Sequence, residues 1–319
     1  MKKILCLLMS CLLFVMAGCS GHSKNLKFGA ADIGGVYYSF ASTFTQLADK
    51  EIDGYTFETK TTAGSVANLR LISDGYIDLA IVQADLLSDA YNATGTFADK
   101  KYQKGYKAVA SLYTECCQIV VRKDSGITGI DDLINKTVSV GASESGSEKN
   151  AEQILKMSGI TDELINKVNM DYTEAAEKLK AGEIDAFFCT AGTRTEVIGQ
   201  LSKECDIRLI SLDDKCIDKM LSAYSLCEKY TIPAGTYNGQ DSDVTTIGVK
   251  AVLIAKQSLS DDVIKNVTKT IYEHADDFKY ATSLDISFDI NTAADGVDIP
   301  FHSGAAAYYT ERGINVLTE

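Results

Sequence analysis

The chain has 319 residues, which is long enough for two domains. Hydrophobic residues make up 45% of it, a fraction that is typical of a globular protein. Its formal net charge is −13, and no cluster of Lys and Arg interrupts the acidic surface. This charge argues against nucleic acid as a partner, because phosphate-backbone binding needs cationic patches.

The first 19 residues have the layout of a secretory signal. Two lysines precede an apolar run over residues 4–15, and Met-Ala-Gly-Cys closes it in a way that resembles a bacterial lipobox. We expect residues 1–18 to be removed, which takes the net charge from −13 to −15, and Cys19 to become a lipidated N-terminus. The alternatives are an ordinary signal peptide with an incidental cysteine and an uncleaved signal anchor. A spanning helix needs about 20 apolar residues, so the run is short for an anchor.

Two segments of the mature chain repeat the order strand, turn, helix. After a polar spacer over residues 20–25, residues 26–29 predict a strand, a Gly-Gly turn follows, and apolar residues at helical spacing begin at Phe40. Residues 137–142 predict a second strand, which runs into a serine-rich turn and another helix. The repetition indicates two similar α/β lobes.

A second repeat supports this interpretation. The pattern Gly-x-Ile-Asp, which contains Asp78 and Asp185, twice leads into a continuous apolar run that ends on a polar residue, Gln83 or Thr190. Such runs are typical of parallel strands covered on both faces. Ligands bind outside the carboxyl ends of strands in open α/β sheets, so we expect one cleft between the lobes. We expect the two aspartates to be solvated or to cap backbone groups.

Two long apolar runs predict strands that cross between the lobes, over residues 110–121 and 244–255. Paired crossings of this kind form a hinge, which suits closure around a ligand. The predicted fold class is therefore α/β with two lobes and a ligand cleft between them. Lobe I comprises residues 26–115 and 245–319, and lobe II comprises residues 116–244.

Four predicted helix starts point at this cleft. They are a Gly-Gly turn before Val36, Ser65 as an N-cap, and two capping boxes formed by Ser145 with Glu148 and by Thr193 with Glu196. Each alone is explained by ordinary capping or turning, but together they form a groove rich in N–H donors, which suits an anionic group. Tyrosines, among them Tyr113, could form its wall.

The sequence contains only weak matches to the motifs of catalytic sites. Residues 141–145 miss the G-x-S-x-G nucleophile elbow by the last position, and the three histidines lie in unrelated segments. P-loop and metal-ligand spacings are absent from the sequence, so we expect no catalysis, no cofactor and no metal.

Beyond Cys19, the mature chain has six of the nine cysteines, without the CxxC pairs of a zinc site. Adjacent Cys116 and Cys117 predict one core thiol and one surface thiol on a strand. Cys205, Cys216 and Cys227 lie close enough in sequence for a local disulfide in an exported protein, and their redox state stays open.

The chain resembles the TAXI solute receptors of tripartite ATP-independent periplasmic (TRAP) transporters over nearly all of its mature length. Segments that carry the resemblance occur in order at residues 34–38, 62–69, 78–85, 141–148, 190–192, 232–237 and 304–313. It implies a periplasmic-binding-protein type II fold that captures a glutamate-like or glutamine-like amino acid or a dicarboxylate and delivers it to a membrane permease driven by an ion gradient. An ABC-type receptor or sensor of the same fold is the nearest alternative, and a surface enzyme is a third.

Together, the residues and the resemblance assign a set of ligand-binding residues. They are Gly34, Gly35, Val36, Tyr37, Ser65, Asn68, Gln83, Tyr113, Ser145, Gly146, Ser147, Thr190 and Gly192. The chain departs from the family pattern at Asp32 and Glu144, which could pair with a ligand ammonium or face solvent, and at Arg194, which could bind a ligand carboxylate or lie at the surface.

Overall fold

The computed structural model describes residues 24–99, 105–283 and 288–319. The predicted signal peptide and Cys19 therefore lie outside the described residues. The strands are β1 Lys24–Gly29, β2 Tyr55–Lys60, β3 Leu79–Gln83, β4 Tyr106–Arg122, β5 Thr137–Ser139, β6 Asn166–Val168, β7 Ala186–Ala191, β8 Ile207–Leu209, β9 Cys227–Ile232 and β10 Val244–Lys256.

Helices cover this sheet. In chain order they are α1 Val36–Glu51, α2 Ser65–Ser73, α3 Ala84–Asn92, α4 Gly146–Met157, α5 Tyr172–Ala181, α6 Glu196–Glu204, α7 Asp214–Ala223, α8 Asp261–Glu273, α9 Ala275–Thr282 and α10 Ser303–Thr310. Short 3-10 turns occupy Gly95–Phe97, Ile130–Leu133, Asp162–Leu164 and Ile290–Thr292.

The strands form one sheet that passes through both lobes, in the order β2-β1-β3-β10-β4-β7-β5-β6. Strands β1, β2 and β3 pair in parallel on one side, and β5, β6 and β7 do so on the other. Between them, β4 and β10 pair antiparallel, while β8 and β9 extend the second half. The fold is thus the two-lobe α/β architecture that the sequence predicts.

The long strands β4 and β10 are the two predicted crossings. The second half of β10 pairs with β3 of lobe I, and its first half pairs with β9 of lobe II. Register shifts interrupt the β4–β10 ladder between Ala251 and Val252 and between Leu253 and Ile254. Such irregularities increase local twist, which suits the place where the sheet turns from one lobe into the other.

Apolar side chains on both faces of the sheet form separate cores. One cluster joins residues 26–113 with residues 249–309, and two further clusters lie within residues 116–247. The largest core contains stacked and edge-to-face rings, such as Phe40 on Phe278 with ring centroids 4.4 Å apart. This distribution gives each lobe its own hydrophobic interior.

Several predicted boundaries need correction. Strand β1 already begins at Lys24, within the predicted spacer, and β5 ends at Ser139 rather than at residue 142. Ser65 is not the N-cap of α2: Gly64 takes that position with φ of +120°, a conformation that glycine adopts without strain. The Oγ of Ser65 instead accepts a hydrogen bond from the backbone N–H of Gln83 at 3.1 Å.

The second predicted capping box is also wrong. Helix α6 begins at Glu196 itself, and the preceding residue, Thr195, makes no side-chain cap. Its Oγ1 donates to the carbonyl of Gly192 at 2.6 Å and so stabilises the loop before the helix. The first predicted box is confirmed in its main hydrogen bond, because Ser145 Oγ accepts from the N–H of Glu148 at 3.0 Å.

The adjacent thiols do not divide between core and surface. Cys116 and Cys117 are both buried, and they pack in different apolar clusters on the two faces of the sheet. Helices cover both faces of β4 here, which the alternation of a strand alone does not reveal. Cys205, Cys216 and Cys227 are free thiols in this structure.

Asp78 and Asp185 cap backbone groups at equivalent places in the two lobes. An Oδ2 of Asp78 accepts from the N–H of Lys27 at 2.9 Å, and that of Asp185 accepts from the N–H of Thr137 at 2.8 Å. Each aspartate therefore joins the entry of one parallel strand to the backbone of its neighbour, as the capping interpretation of the sequence repeat expected.

Candidate ligand-binding cleft

A narrow cleft, with a free volume of about 30 Å³, lies between the lobes at the carboxyl ends of the parallel strands. Its walls come from the loop after β1, the starts of α1, α2 and α4, and the ends of β3 and β7. The lining residues are Ala31, Asp32, Gly35, Val36, Tyr37, Ala63, Gly64, Ser65, Gln83, Glu115, Ala142, Ser145, Gly146, Ser147, Tyr172, Thr190 and Ala191.

Three helix N-termini converge on this space. Helix α1 begins after Gly35 and α2 begins after Gly64, and neither has a side-chain cap, whereas Ser145 caps α4. The first N–H groups of a helix have no partner within it, and the helix dipole places a partial positive charge there. The arrangement suits an anionic group of a ligand.

The two lobes touch across the cleft, so the arrangement is closed. The backbone N–H of Ala67 in α2 donates to the carbonyl of Glu144 at 3.0 Å. Arg70 binds the carboxylate of the same residue through Nε at 3.1 Å and Nη2 at 2.6 Å. A Cβ on Gly146 would clash with Oε1 of Gln83 in the opposite lobe, so a larger residue there would displace the Gln83 amide.

The structure brings together nine of the predicted ligand-binding residues along this cleft. They are Gly35, Val36, Tyr37, Ser65, Gln83, Ser145, Gly146, Ser147 and Thr190. The other four, Gly34, Asn68, Tyr113 and Gly192, do not line it.

Asn68 lies beneath the cleft rather than in its wall. It is fully buried, and its Nδ2 donates to the carbonyls of Ala30 at 2.7 Å and Ile81 at 2.9 Å, with a longer contact to Gly29. Its Oδ1 accepts from the hydroxyl of Thr62 at 2.8 Å. The side chain is thus committed to joining the ends of β1 and β3.

The remaining predicted residues lie beside the cleft. Gly34 lines a separate groove with Ile33 and helices α5 and α6, Tyr113 is buried behind the wall, and the carbonyl of Gly192 accepts the hydroxyl of Thr195. Arg194 is exposed and does not line the cleft, so the surface interpretation holds for it.

Ser147 and Tyr172 form a polar cluster at the end of β7. Ser147 Oγ accepts from the backbone N–H of Thr190 at 2.8 Å and lies 2.5 Å from the hydroxyl of Tyr172. That hydroxyl donates to the carbonyl of Thr190 at 3.0 Å. The cluster holds the α4 start against β7, and Thr190 Oγ1 itself has no hydrogen-bond partner.

Glu115 is the functional candidate that the sequence reasoning missed. It lies on β4, is only 3% exposed, and accepts a hydrogen bond from the hydroxyl of Tyr37 at 2.8 Å. Burial raises the pKa of Glu115 to about 8, against the lowering effect of hydrogen bonds from Tyr37 and Gln83. One signal in the sequence could have found it: Glu115 is the single acidic residue within β4.

Asp32 and Glu144, the two acidic departures from the family pattern, have different surroundings. Asp32 lines the cleft, and burial together with the nearby charge of Asp171 raises its pKa to about 6. Glu144 pairs with Arg70 across the lobes. Asp32 therefore stays a candidate for contact with a ligand, whereas the contacts of Glu144 serve closure.

Within the described part of the chain, no group of three or more His, Cys, Asp or Glu side chains is arranged to hold a metal ion. Of the helices in the described ranges, none is long and apolar enough to cross a membrane. His274 forms hydrogen bonds with Glu51 and Asp277 at the surface, and Nδ1 of His302 caps α10. Neither histidine lines the cleft.

Solved structures with the same architecture include PhnD1 from Prochlorococcus marinus in complex with methylphosphonate, with a TM-score of 0.59 and 13% identity over 83% of this chain and 93% of that one. A ligand-binding component of an ABC-type import system from Staphylococcus aureus, with zinc bound, has a TM-score of 0.52 and 12% identity over 91% and 92%. An L-cystine ABC transporter protein from Listeria monocytogenes has a TM-score of 0.51 and 15% identity over 82% and 94%. At these identities the likeness shows the fold alone. Residues 28–313 match the NMT1-like family, and the chain belongs to that family.

Proposed function

We propose that this protein is an extracytoplasmic solute-binding lipoprotein, which captures a small carboxylate solute between its lobes and hands it to a TRAP permease. The solute class is a glutamate-like or glutamine-like amino acid or a dicarboxylate. The observation that carries the proposal is the convergence of three helix N-termini from both lobes on one closed cleft. A ligand held by donors from both lobes stabilises closure, which is the signal that a transporter can read.

The cleft lies where lobe I, residues 26–115 and 245–319, meets lobe II, residues 116–244. These boundaries stay a prediction, supported by the separate apolar cores and by the two long strands between them.

A thermal-shift screen tests binding. L-glutamate, L-glutamine, glutarate and succinate are added in turn, and the midpoint of unfolding should rise with the logarithm of the concentration of any solute that binds the folded state. Replacing Gly146 by Val should abolish the shift, because the new side chain would enter the cleft and displace the amide of Gln83.

The matched control is Gly199→Val. This glycine also lies in a helix of lobe II, but nothing lies within 4 Å of a Cβ placed on it, so its shift should equal that of the wild type. A screen without any shift, or equal shifts for Gly146→Val and the wild type, would contradict the proposal.

The alternative is a receptor of an ABC importer. It is favoured by the fold, since two proteins of the same architecture are described as ABC components. Uptake of the bound solute by cells that contain the native permease separates the two: TRAP transport should stop when an ionophore collapses the ion gradient, whereas ABC transport depends on ATP.

Lipid attachment has its own test. The full chain with Cys19→Ser should leave the membrane fraction and appear in the soluble extracytoplasmic fraction, while the wild type stays with the membrane. Equal membrane association of both chains would favour the signal-anchor alternative.

A further inference from the structure

Glu115 is placed where a solute in the cleft would touch it. It lines the cleft at the middle of the crossing strand β4, and the hydroxyl of Tyr37 donates a hydrogen bond to its carboxyl group at 2.8 Å. A carboxyl group with 3% exposure carries a large desolvation cost when it is ionised without a cation. The placement therefore calls for a positive partner or for a bound proton.

The described residues that line the cleft supply no such positive partner. Among the residues that line the cleft there are two carboxylates, Asp32 and Glu115, and no Lys, Arg or His. Several titratable or polar groups of the surrounding elements interact electrostatically with Glu115, and none of them is a cation. They are Tyr37 of α1, Gln83 of β3, Asp85 of α3, Tyr113 and Cys116 of β4, Tyr172 of α5 and Cys189 of β7.

A second buried acceptor lies beside Glu115, and this one lacks a donor. Gln83 is 1% exposed, lines the cleft, and its Oε1 has no hydrogen-bond partner. Buried acceptors in folded proteins are nearly always paired, so an unpaired amide oxygen next to a buried carboxyl group with no cationic side chain in the cleft wall marks a place for an N–H-rich group. An ammonium, with three N–H donors and one positive charge, satisfies both.

We infer that Glu115 is the specificity-determining residue of the cleft: it accepts a hydrogen bond from a protonated amine of the solute, so the receptor selects ammonium-bearing carboxylates over the same acids without the amine. The inference rests on the proposed function and narrows its solute class. Helix N-termini hold the carboxylate of the solute, and Glu115 with Gln83 holds its ammonium.

The inference includes a proton balance. In the free protein the carboxyl group of Glu115 holds a proton up to a pH of about 8. When the ammonium arrives, that proton leaves to solvent and the carboxylate accepts the N–H of the solute, so near pH 6.5 binding releases about one proton per solute. Affinity should therefore rise as the pH increases from 6 towards 8.

Isothermal titration calorimetry with L-glutamate and glutarate tests the selection, since glutarate is glutamate without its amine. The wild type should bind L-glutamate at least tenfold more tightly than glutarate. Glu115→Gln should lose at least tenfold in affinity for L-glutamate and change less than threefold for glutarate. The exposed Glu58→Gln is the matched control and should behave as the wild type.

Proton release in the wild type gives a readout that does not depend on how the variant folds. Titrations at pH 6.5 in buffers of different ionisation enthalpy should report about one proton released with L-glutamate and none with glutarate. Release of no proton with L-glutamate, or wild-type affinity in Glu115→Gln, would overturn the inference.

The outcomes separate this inference from the proposed function. If the wild type binds L-glutamate and glutarate equally and Gly146→Val abolishes both, the proposed solute-binding function stands and the role of Glu115 is rejected. No binding of any solute in the screen rejects both.

Discussion

Some buried polar side chains near this cleft use all their hydrogen bonds within the fold, whereas others keep an atom that could bind a ligand. Asn68 and Gln83 are both buried amides near the ends of lobe I strands, but the first has every partner it needs and the second has an unpaired Oε1. The residue types alone predict the same role for both. Only their hydrogen bonds separate the structural amide from the candidate ligand contact.

Asn68→Ala should lower the free energy of unfolding by about 3 kcal/mol, because it removes the buried Nδ2 hydrogen bonds to the carbonyls of Ala30 and Ile81 and the acceptor of the Thr62 hydroxyl. Urea denaturation measures this change. Asn92→Ala, at an exposed position of α3, is the control and should stay within about 0.5 kcal/mol of the wild type. A loss of ligand affinity in Asn68→Ala with unchanged stability would mean that Asn68 is a ligand contact after all.

Glu115 also sets a pH dependence of stability. Its pKa rises from 4.5 to about 8 on folding, so between these values the folded state holds a proton that the unfolded state has released. Unfolding then releases a proton, and the free energy of unfolding should fall as the pH rises from 5 to 8. Urea melts should show this fall in the wild type and a smaller one in Glu115→Gln, and parallel curves would contradict the buried protonated carboxyl group.

At the scale of elements, the sequence predicted the strands and helices better than their ends. The apolar runs at β4 and β10 and the Gly-x-Ile-Asp entries to β3 and β7 are visible because burial on both faces leaves a long signal. Caps are harder to predict. Gly64 took the N-cap position of α2 because of its positive φ, which a Gly-Ser sequence does not specify.

Two helix caps, one in each lobe, offer a paired test. Asp213 Oδ1 accepts from the N–H of Cys216 at 2.7 Å and caps α7, whereas Ser260 precedes α8 without a side-chain cap. Asp213→Ala should cost about 1 kcal/mol in the free energy of unfolding, and Ser260→Ala should cost little. Equal losses in chemical denaturation would show that the observed cap adds nothing.

The candidate site itself could be predicted only in part. Helix starts and strand ends placed most of the wall, because these features repeat locally along the chain. Glu115 meets Tyr37, which lies 78 residues earlier, and this contact depends on how β4 crosses the seam between the lobes. Such tertiary neighbours leave no pattern in the sequence.

At the scale of the whole molecule, contacts between α2 and the loop before α4 hold the two lobes together across the cleft. Arg70 and Glu144 form the ion pair across the cleft, and each side chain is 39% exposed, so solvent limits the pair to at most about 1 kcal/mol. Glu144→Gln should shift the balance towards the open state by up to about fivefold and raise the radius of gyration in X-ray scattering. Glu183→Gln, whose Lys178 partner lies in the same lobe, is the control, and equal scattering of both variants would reject this role.

The start of β1 at Lys24 limits how far from a membrane the protein could work. If Cys19 carries a lipid, as proposed, the five residue steps from Cys19 to Lys24 keep the start of β1 within about 17 Å of the anchor. Strand β1 enters lobe I at the end away from the cleft, so the cleft would face away from the bilayer. Each delivery would then be a search across a surface rather than through a volume.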